Sequence, residues 1–311
     1  MVRFADGGYS LGTVDAIADE IGVSPKFLYL LSNHAPARYA VYRIPKGNGR
    51  FRTIEAPDDD LKFVQRMILD RILPRKVSKV ATAFELGRGL VDNARPHVGR
   101  AVLLELDLKD FFPSFRYQKL LRYFLNLGYP RDSAVLLTEL CTLNGHLPQG
   151  APTSPHLANL MLKGFDRELA GLCARMRLKV TRYADDITIS GKLDPMKIDM
   201  LVATVRKSLS SLGLRLNWRK IRVLRRNARQ EVTGVVVNER LSVSRDTRRQ
   251  LRQTMYYLRH YGLIGYEPVT RQGLEQLMGK VGFVNYVDPD NLEFREYAAN
   301  LRRRLGELEQ G

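Results

Sequence analysis

An apolar strand that runs straight into an aspartate is the feature that most limits what this chain can build. Ala101–Leu106 reads as a core-directed strand, and it ends at Asp107. Further on, Lys179–Tyr183 and Ile187–Ser190 read as a strand–turn–strand whose turn holds Ala184-Asp185-Asp186. Carboxylates gathered at the ends of neighbouring strands repel one another unless divalent cations fill the gap. Two Mg²⁺ ions about 3.5–4 Å apart are the usual answer where a phosphodiester is made or broken. One lowers the pKa of an attacking hydroxyl, and both stabilise the pentavalent phosphorus and the departing pyrophosphate. Adjacent strand residues point to opposite faces, so Asp185 and Asp186 cannot have equal roles; Asp185 is expected to be the firm ligand and Asp186 the weaker one. Taken singly, an Asp-Asp is an ordinary turn and a strand-ending Asp an ordinary helix cap. The rest of the sequence has to decide between these readings.

Charge narrows the field. The 311 residues carry 50 Lys+Arg against 33 Asp+Glu, a net charge of +17 and a pI of about 10.0. Between Arg206 and Arg252 there are 14 basic and 3 acidic residues, many of them crowded around strands and a turn where self-repulsion costs stability. A polyphosphate partner with salt-sensitive binding is the expected cause. Composition, at 44% hydrophobic and 27% charged, is that of a globular protein of two or three lobes. No apolar run approaches the roughly 20 residues of a membrane span, and the N-terminus has no stretch of the kind a secretory signal needs. Cys141 and Cys173, the only cysteines, form neither a disulfide framework nor a zinc cluster and fit a reducing cytoplasm. The expectation is a cytoplasmic nucleic-acid-binding protein with no membrane association.

The chain reads as mixed α and β. Thr13–Ile21 and a helix opened by Ser24 and Pro25 come first. Tyr39–Ile44 and Phe51–Ile54 alternate as strands around a basic tip, Lys46-Gly47-Asn48-Gly49. Asp58-Asp59-Asp60 then opens a helix with the apolar stripe Leu61, Val64, Ile68 and Ile72, the acids decorating its N-terminus on a solvated face. Ser114 is expected to cap the helix after the aspartate strand, and Gly128 to close it. A long helix over Ser154–Met176, another over Pro195–Leu212, and strands over Leu214–Leu224 and Glu231–Val237 follow, with a basic helical segment from Ser244 onward.

Three segments together are recognisable. Tyr183-Ala184-Asp185-Asp186 resembles the Tyr-x-Asp-Asp box of reverse transcriptases, Leu106–Phe112 resembles the preceding aspartate motif, and Leu147–Pro155 resembles the Pro-Gln-Gly segment. Their order agrees with the family, at about 40 residues from the first to the second and about 35 from the second to the third. Asn93-Ala94-Arg95-Pro96-His97 and Val232-Thr233-Gly234 resemble short elements of the bacterial retron branch. The resemblance implies an α+β right-hand polymerase fold, with an antiparallel palm sheet backed by helices. The N-terminal helices and fingers would come from 1–100, the palm from 101–112 and 151–240, a fingers/palm connection from 113–150, and a helical thumb from 241–311.

The resemblance also implies roles. Asp107, Asp185 and Asp186 would hold two Mg²⁺, with Leu108 in the metal set. Lys220 would protonate departing pyrophosphate or contact phosphate, and both readings stay open. Arg52, with Lys46, would grip the triphosphate of a dNTP; Gln149, Gly150 and Tyr183 would line its site; and Phe112 would exclude a ribose 2′-OH, against the alternative of plain core packing. Asn93, His97, Val232, Thr233 and Gly234 would bind RNA, against a structural alternative of turn, buried histidine and strand bulge. His146 and His156 read as structural and Trp218 as core. Tyr256, Tyr257, Tyr261 and Tyr266, interleaved with Arg252, Arg259 and His260, suit a duplex backbone or stacked bases, while helix core accounts for about half of them.

The activity implied is RNA-directed DNA synthesis on a dedicated structured noncoding RNA. Synthesis would start at a 2′-OH of a guanosine and leave a branched RNA–DNA product (msDNA), in an antiphage system with an effector protein encoded nearby. A group II intron-like or diversity-generating reverse transcriptase, and a non-catalytic RNA-binding scaffold, are the rival readings.

Overall fold

The computed structural model describes residues 2–3, 9–10, 12–46, 49–264 and 267–310. Its centre is a five-stranded antiparallel sheet. The strand Val102–Lys109 lies in the middle, pairing on one side with Asp186–Gly191, which in turn pairs with Lys179–Tyr183. On the other side it pairs first with Arg222–Arg225 and then with Arg215–Leu216. Side chains alternate across a strand, and this alternation divides the middle one. Leu104, Leu106 and Leu108 enter the main hydrophobic core with the helices 117–126, 131–141, 154–161, 163–175 and 195–211. Leu103, on the opposite face, enters a second core built by the helices Arg245–Tyr261, Arg271–Val287 and Leu292–Gln310. The hairpin Glu231–Val236 also belongs to that second core through Val232 and Val235.

Many local expectations are met. Thr13, Ser24, Asp58 and Ser244 cap their helices by accepting from backbone N–H groups, and Leu61, Val64, Ile68 and Ile72 are buried. The finger strands are longer than the sequence pattern suggested, Tyr39–Lys46 against Arg50–Pro57. Val41, Tyr42, Ile44 and Phe51 stay exposed on this projecting hairpin. Gly47, Asn48, Tyr266 and the side chain of Lys46 lie outside the described residues. Among the described residues no helix is long and apolar enough to cross a membrane.

Other expectations are corrected. The aspartate strand does not end at Asp107 but continues to Lys109, because Leu108 still has core to enter. Ser114 caps nothing: its hydroxyl donates back to the Lys109 and Asp110 carbonyls, and Arg116 begins the next helix. The helix expected over Ser154–Met176 breaks at Leu162 into two. The strand expected over Leu214–Leu224 is interrupted by a 3₁₀ turn at Trp218–Lys220. Trp218 is 57% exposed, not core, with the Arg206 guanidinium 6.0 Å from its ring centre. The Asp58–Asp60 acids are not merely solvated, since Arg38 bridges Asp58 and Asp60 at 2.9 and 3.0 Å.

Asn93 and His97, expected to meet RNA, are buried struts instead. The Thr181 hydroxyl donates to the Asn93 carbonyl, so its oxygen accepts from His97 Nε2–H at 2.8 Å, and Nδ1 accepts from the Ser190 hydroxyl at 2.6 Å. Both ring nitrogens are used and the side chain is 0% exposed, which leaves RNA no group to read. Asn93 accepts from Thr82 at 2.9 Å and donates to Thr233 at 3.3 Å. Val232 is likewise fully buried.

Burial lowers the His97 imidazole to about 3, helped by the charge of Arg100. The unfolded chain therefore binds this proton first as pH falls below about 6.5, and stability is lost from there down to the folded value, by up to about 1.4 kcal/mol per pH unit. Urea unfolding between pH 7 and 4 should show this slope, and His97→Gln should remove that component. Equal slopes in the two proteins would show that His97 does not titrate on unfolding.

Candidate active site

The sheet register builds the site. Asp107 lies directly opposite Asp186, and the Leu108 amide donates to the Asp185 carbonyl at 3.0 Å. Asp186 is therefore the first residue of its strand, and the turn is the two residues Ala184-Asp185. Ala184 sits in the left-handed region at φ +56, a conformation costly to a residue with a Cβ. A buried clamp holds it there. Arg182 donates to the Ala184 carbonyl at 3.0 Å, to Asn159 at 3.0 Å, and to both oxygens of Asp166 at 2.7 and 2.8 Å. Neither Arg182 nor Asp166 is more than 1% exposed.

Asp107 is buried and doubly bonded. Asn217 Nδ2 donates to Oδ1 at 2.9 Å and Lys220 Nζ to Oδ2 at 2.7 Å, while the Asn217 amide donates to the Asp107 carbonyl at 2.8 Å. The bond to Asp107 raises the Lys220 ammonium above its ordinary value. Asp185 is raised by burial and by Asp107, against which Arg52 and Lys220 act. Protein crowded around the Asp186 carboxyl, with Asp185 and Asp107 beside it, pushes that group up to about 6. Lys220 offsets part of this negative charge, yet Asp185 and Asp186 remain raised, which is the electrostatic state that divalent cations relieve. Asp107, Asp185 and Asp186 thus fit a metal pair. Among the described residues, however, no three acidic, histidine or cysteine side chains close to ligand distance, and Lys220 stands on Asp107.

The other expected residues surround this centre unevenly. Arg52 is exposed on the finger hairpin, near enough to Asp185 to act on its charge. Gln149 is docked onto the same strand: the Glu55 amide donates to its carbonyl at 2.8 Å. Gly150, at φ +144, brings backbone so close that a Cβ would stand 2.6 Å from the Glu55 carbonyl oxygen. Phe112 is half-buried, edge-on to Phe111 at 5.1 Å and 6.3 Å from Phe84. Tyr183 is half-buried against the main core. His146 and His156 are structural, bonded to Glu55 and the Pro74 carbonyl. In the helix Arg245–Tyr261, Leu251, Met255 and Leu258 are the buried stripe, while Tyr256 and Tyr261 are exposed beside His260. Thr233 and Gly234, at φ +49 and +84, form a two-residue hairpin turn that Asn93 supports. That turn lines a cavity of about 420 Å³ reaching from Asp107 and Asp186.

Asn217, Arg182, Asp166 and Glu105 escaped sequence reasoning. Asn217 lies beside Lys220 in a quoted segment, and its role depends on that segment pairing with the Asp107 strand. Glu105, half-buried and two residues before Asp107, is pushed up to about 7 by burial, which Arg222 opposes.

A central antiparallel sheet carrying three aspartates, with a finger hairpin and a helical C-terminal region around it, defines a template-directed nucleic-acid polymerase. The family model for reverse transcriptase (RNA-dependent DNA polymerase) matches residues 44–251. The chain is 39% identical to the retron Mx65 reverse transcriptase of Myxococcus xanthus over 78% of its own length, and spans 62% of that relative. It is 34% identical to the retron Ec86 reverse transcriptase of Escherichia coli, over 76% of this chain and 75% of that one. The apo telomerase of Candida tropicalis has the same fold at a TM-score of 0.51 and 9% identity, covering 78% of this chain and 52% of that one. The chain belongs to the reverse transcriptase family, in its retron-type branch.

Removing one partner of the Arg182–Asp166 pair leaves a buried charge uncompensated, at a cost of about 3–5 kcal/mol. Arg182→Met should lose that much stability in urea, and adding Asp166→Leu should recover most of it. A single variant as stable as the parent would rule out the clamp.

Proposed function

We propose that the chain is a retron RNA-directed DNA polymerase, which extends a DNA strand with dNTPs on a dedicated structured noncoding RNA. Synthesis starts from a 2′-OH of that RNA and leaves branched msDNA. The setting is an antiphage system in the cytoplasm, with an effector protein encoded nearby. The observation that carries the polymerase reading is the register that sets Asp107 opposite Asp186 with Asp185 at the adjoining turn. The retron reading leans on the likeness to retron enzymes and on the Asn93–Thr233 bond, which ties the two branch-specific segments together.

In this reading Asp107, Asp185, Asp186 and Leu108 would hold two Mg²⁺, which would supply acidification of the attacking hydroxyl and neutralisation of phosphate charge. Asn217 holds Oδ1 of the Asp107 carboxylate and leaves Oδ2 to Lys220. Lys220, an ammonium on Asp107, would contact phosphate or hold a proton for departing pyrophosphate. Arg52 and Lys46 take the triphosphate, Gln149, Gly150 and Tyr183 bound the nucleotide, and Phe112 lies beneath its sugar. The fingers are 1–100 with part of 113–150, the palm 101–112 and 151–240, and the thumb 241–311. Of the branch-specific residues, Thr233 and Gly234 remain candidates for RNA contact because they line the open cavity.

Asp107→Asn and Asp185→Asn should each lower dNTP incorporation at least about a thousandfold, the several kcal/mol that metal chemistry supplies, with folding and RNA retention unchanged. Primer extension with a filter-binding control measures both; activity within tenfold of the parent removes that residue from the metal set. Phe112→Ala should raise rNTP relative to dNTP incorporation under matched conditions, and an unchanged ratio in an active variant assigns Phe112 to packing alone. Sequencing the nucleic acid that co-purifies from the host tests the retron reading: short DNA joined to one discrete RNA supports it, and heterogeneous RNA without DNA overturns it.

A further inference from the structure

Glu105 has no assigned work. Strand alternation puts it on the same face as Asp107, about 7 Å away at two residues' rise. The register sets it between Thr188 on one neighbour and Arg222 on the other. With Glu231, Thr233 and Gly234 these residues line the cavity of about 420 Å³ that opens at Asp107 and Asp186. Two other acids of the cavity have partners, Asp107 with Lys220 at 2.7 Å and Glu231 with Arg229 at 3.3 Å, and Asp186 is one of the acids proposed to hold metal. Glu105 has no hydrogen bond or ion pair among the described residues; the charges near it are the Arg222 guanidinium and the Asp186 and Glu231 carboxylates. A half-buried carboxylate left without donors is costly, and a ligand that brings donors relieves the cost.

Direction along the strand says which ligand. Phe112, Arg52 and Gln149, assigned to the incoming nucleotide, lie beyond the Asp107 end or on the finger hairpin. Glu105 lies the other way, on the side left for the nucleotide that carries the attacking hydroxyl. This step rests on the proposed priming from an internal 2′-OH. Such a nucleotide is not the last pair of a primer–template duplex, so the protein must hold its base.

The chemistry of the pair then selects the base. A carboxylate offers two parallel acceptors, and a guanidinium beside it offers donors. As cross-strand partners with Cβ atoms about 5 Å apart, Arg222 and Glu105 can together offer donor, acceptor, acceptor. Guanine alone among the RNA bases matches this, with O6 accepting and N1–H and N2–H donating. Adenine and cytosine alternate donor with acceptor opposite a carboxylate, and uracil flanks its single donor with acceptors. We propose that the Glu105–Arg222 pair reads the guanine of the priming ribonucleotide and so determines where synthesis begins.

The test uses the full chain and the RNA that co-purifies with it, transcribed with guanosine, inosine or adenosine at the branch position. Branched product is scored after debranching and sequencing. The parent should initiate about tenfold or more better at guanosine than at inosine, which lacks only the N2 amine. Glu105→Gln replaces one acceptor with a donor, the pattern that suits adenine, and should lower the guanosine-to-adenosine ratio about tenfold to a hundredfold. Parent enzyme that treats inosine and guanosine within twofold overturns the proposal whether or not the variant folds, as does an unchanged ratio in an active Glu105→Gln. Linear product from 3′ ends alone would instead overturn branched priming itself, and this assignment with it.

Discussion

The two-residue period of one strand organises the molecule. Val102–Lys109 turns Leu104, Leu106 and Leu108 into the main core, and Leu103, Glu105 and Asp107 to the opposite face. Helices cover the first face throughout. On the second, the C-terminal helices reach only as far as Leu103, so Glu105 and Asp107 border open space. A carboxylate in that position keeps its charge only beside cations or donors. The uncovered part of the sheet is therefore where cations and polyanionic substrates can meet protein acids, and a one-residue slip in register would bury the acids and expose the leucines.

Long-range polar contacts keep that face in register. The Arg182–Asp166 pair ties the strand before the aspartate turn to the helix Lys163–Arg175 and holds Ala184 in an unfavourable conformation. His97 joins the paired strands Lys179–Tyr183 and Asp186–Gly191 through Thr181 and Ser190, while Asn93 reaches Thr233 of the cavity-lining turn. Fully satisfied buried networks of this kind specify one arrangement. The short Asn93–His97 and Val232–Gly234 segments make sense together in that light: one is buried so that the other, a strained two-residue turn, stands at the cavity wall.

Sequence order alone carried the three aspartates, the Pro-Gln-Gly segment, the helix caps and the core stripe of the helix after Asp58, because each depends on neighbours within a few residues. The expected fold class holds for the same reason: alternation and turn chemistry are local. Where the sequence reading failed, non-local contacts decided the outcome. Ser114 has capping chemistry but turns back to Asp110. Trp218 has core character, but a 3₁₀ turn carries it to the surface, where Arg206 lies near its ring. His97 has an RNA-reading side chain, but two strands close around it.

The sequence by itself determined which residues could do phosphoryl chemistry and roughly where each strand and helix begins, since residue type and periodicity are properties of the chain. Only the tertiary structure decided which of them meet. Asn217 is 110 residues from Asp107 and Asn93 is 140 from Thr233, separations that no periodicity encodes. Likewise, nothing local distinguishes Glu105 from any other strand glutamate. What distinguishes it is the register with Arg222 and the open face beside Asp107, both fixed by packing of distant segments on the two sides of one sheet.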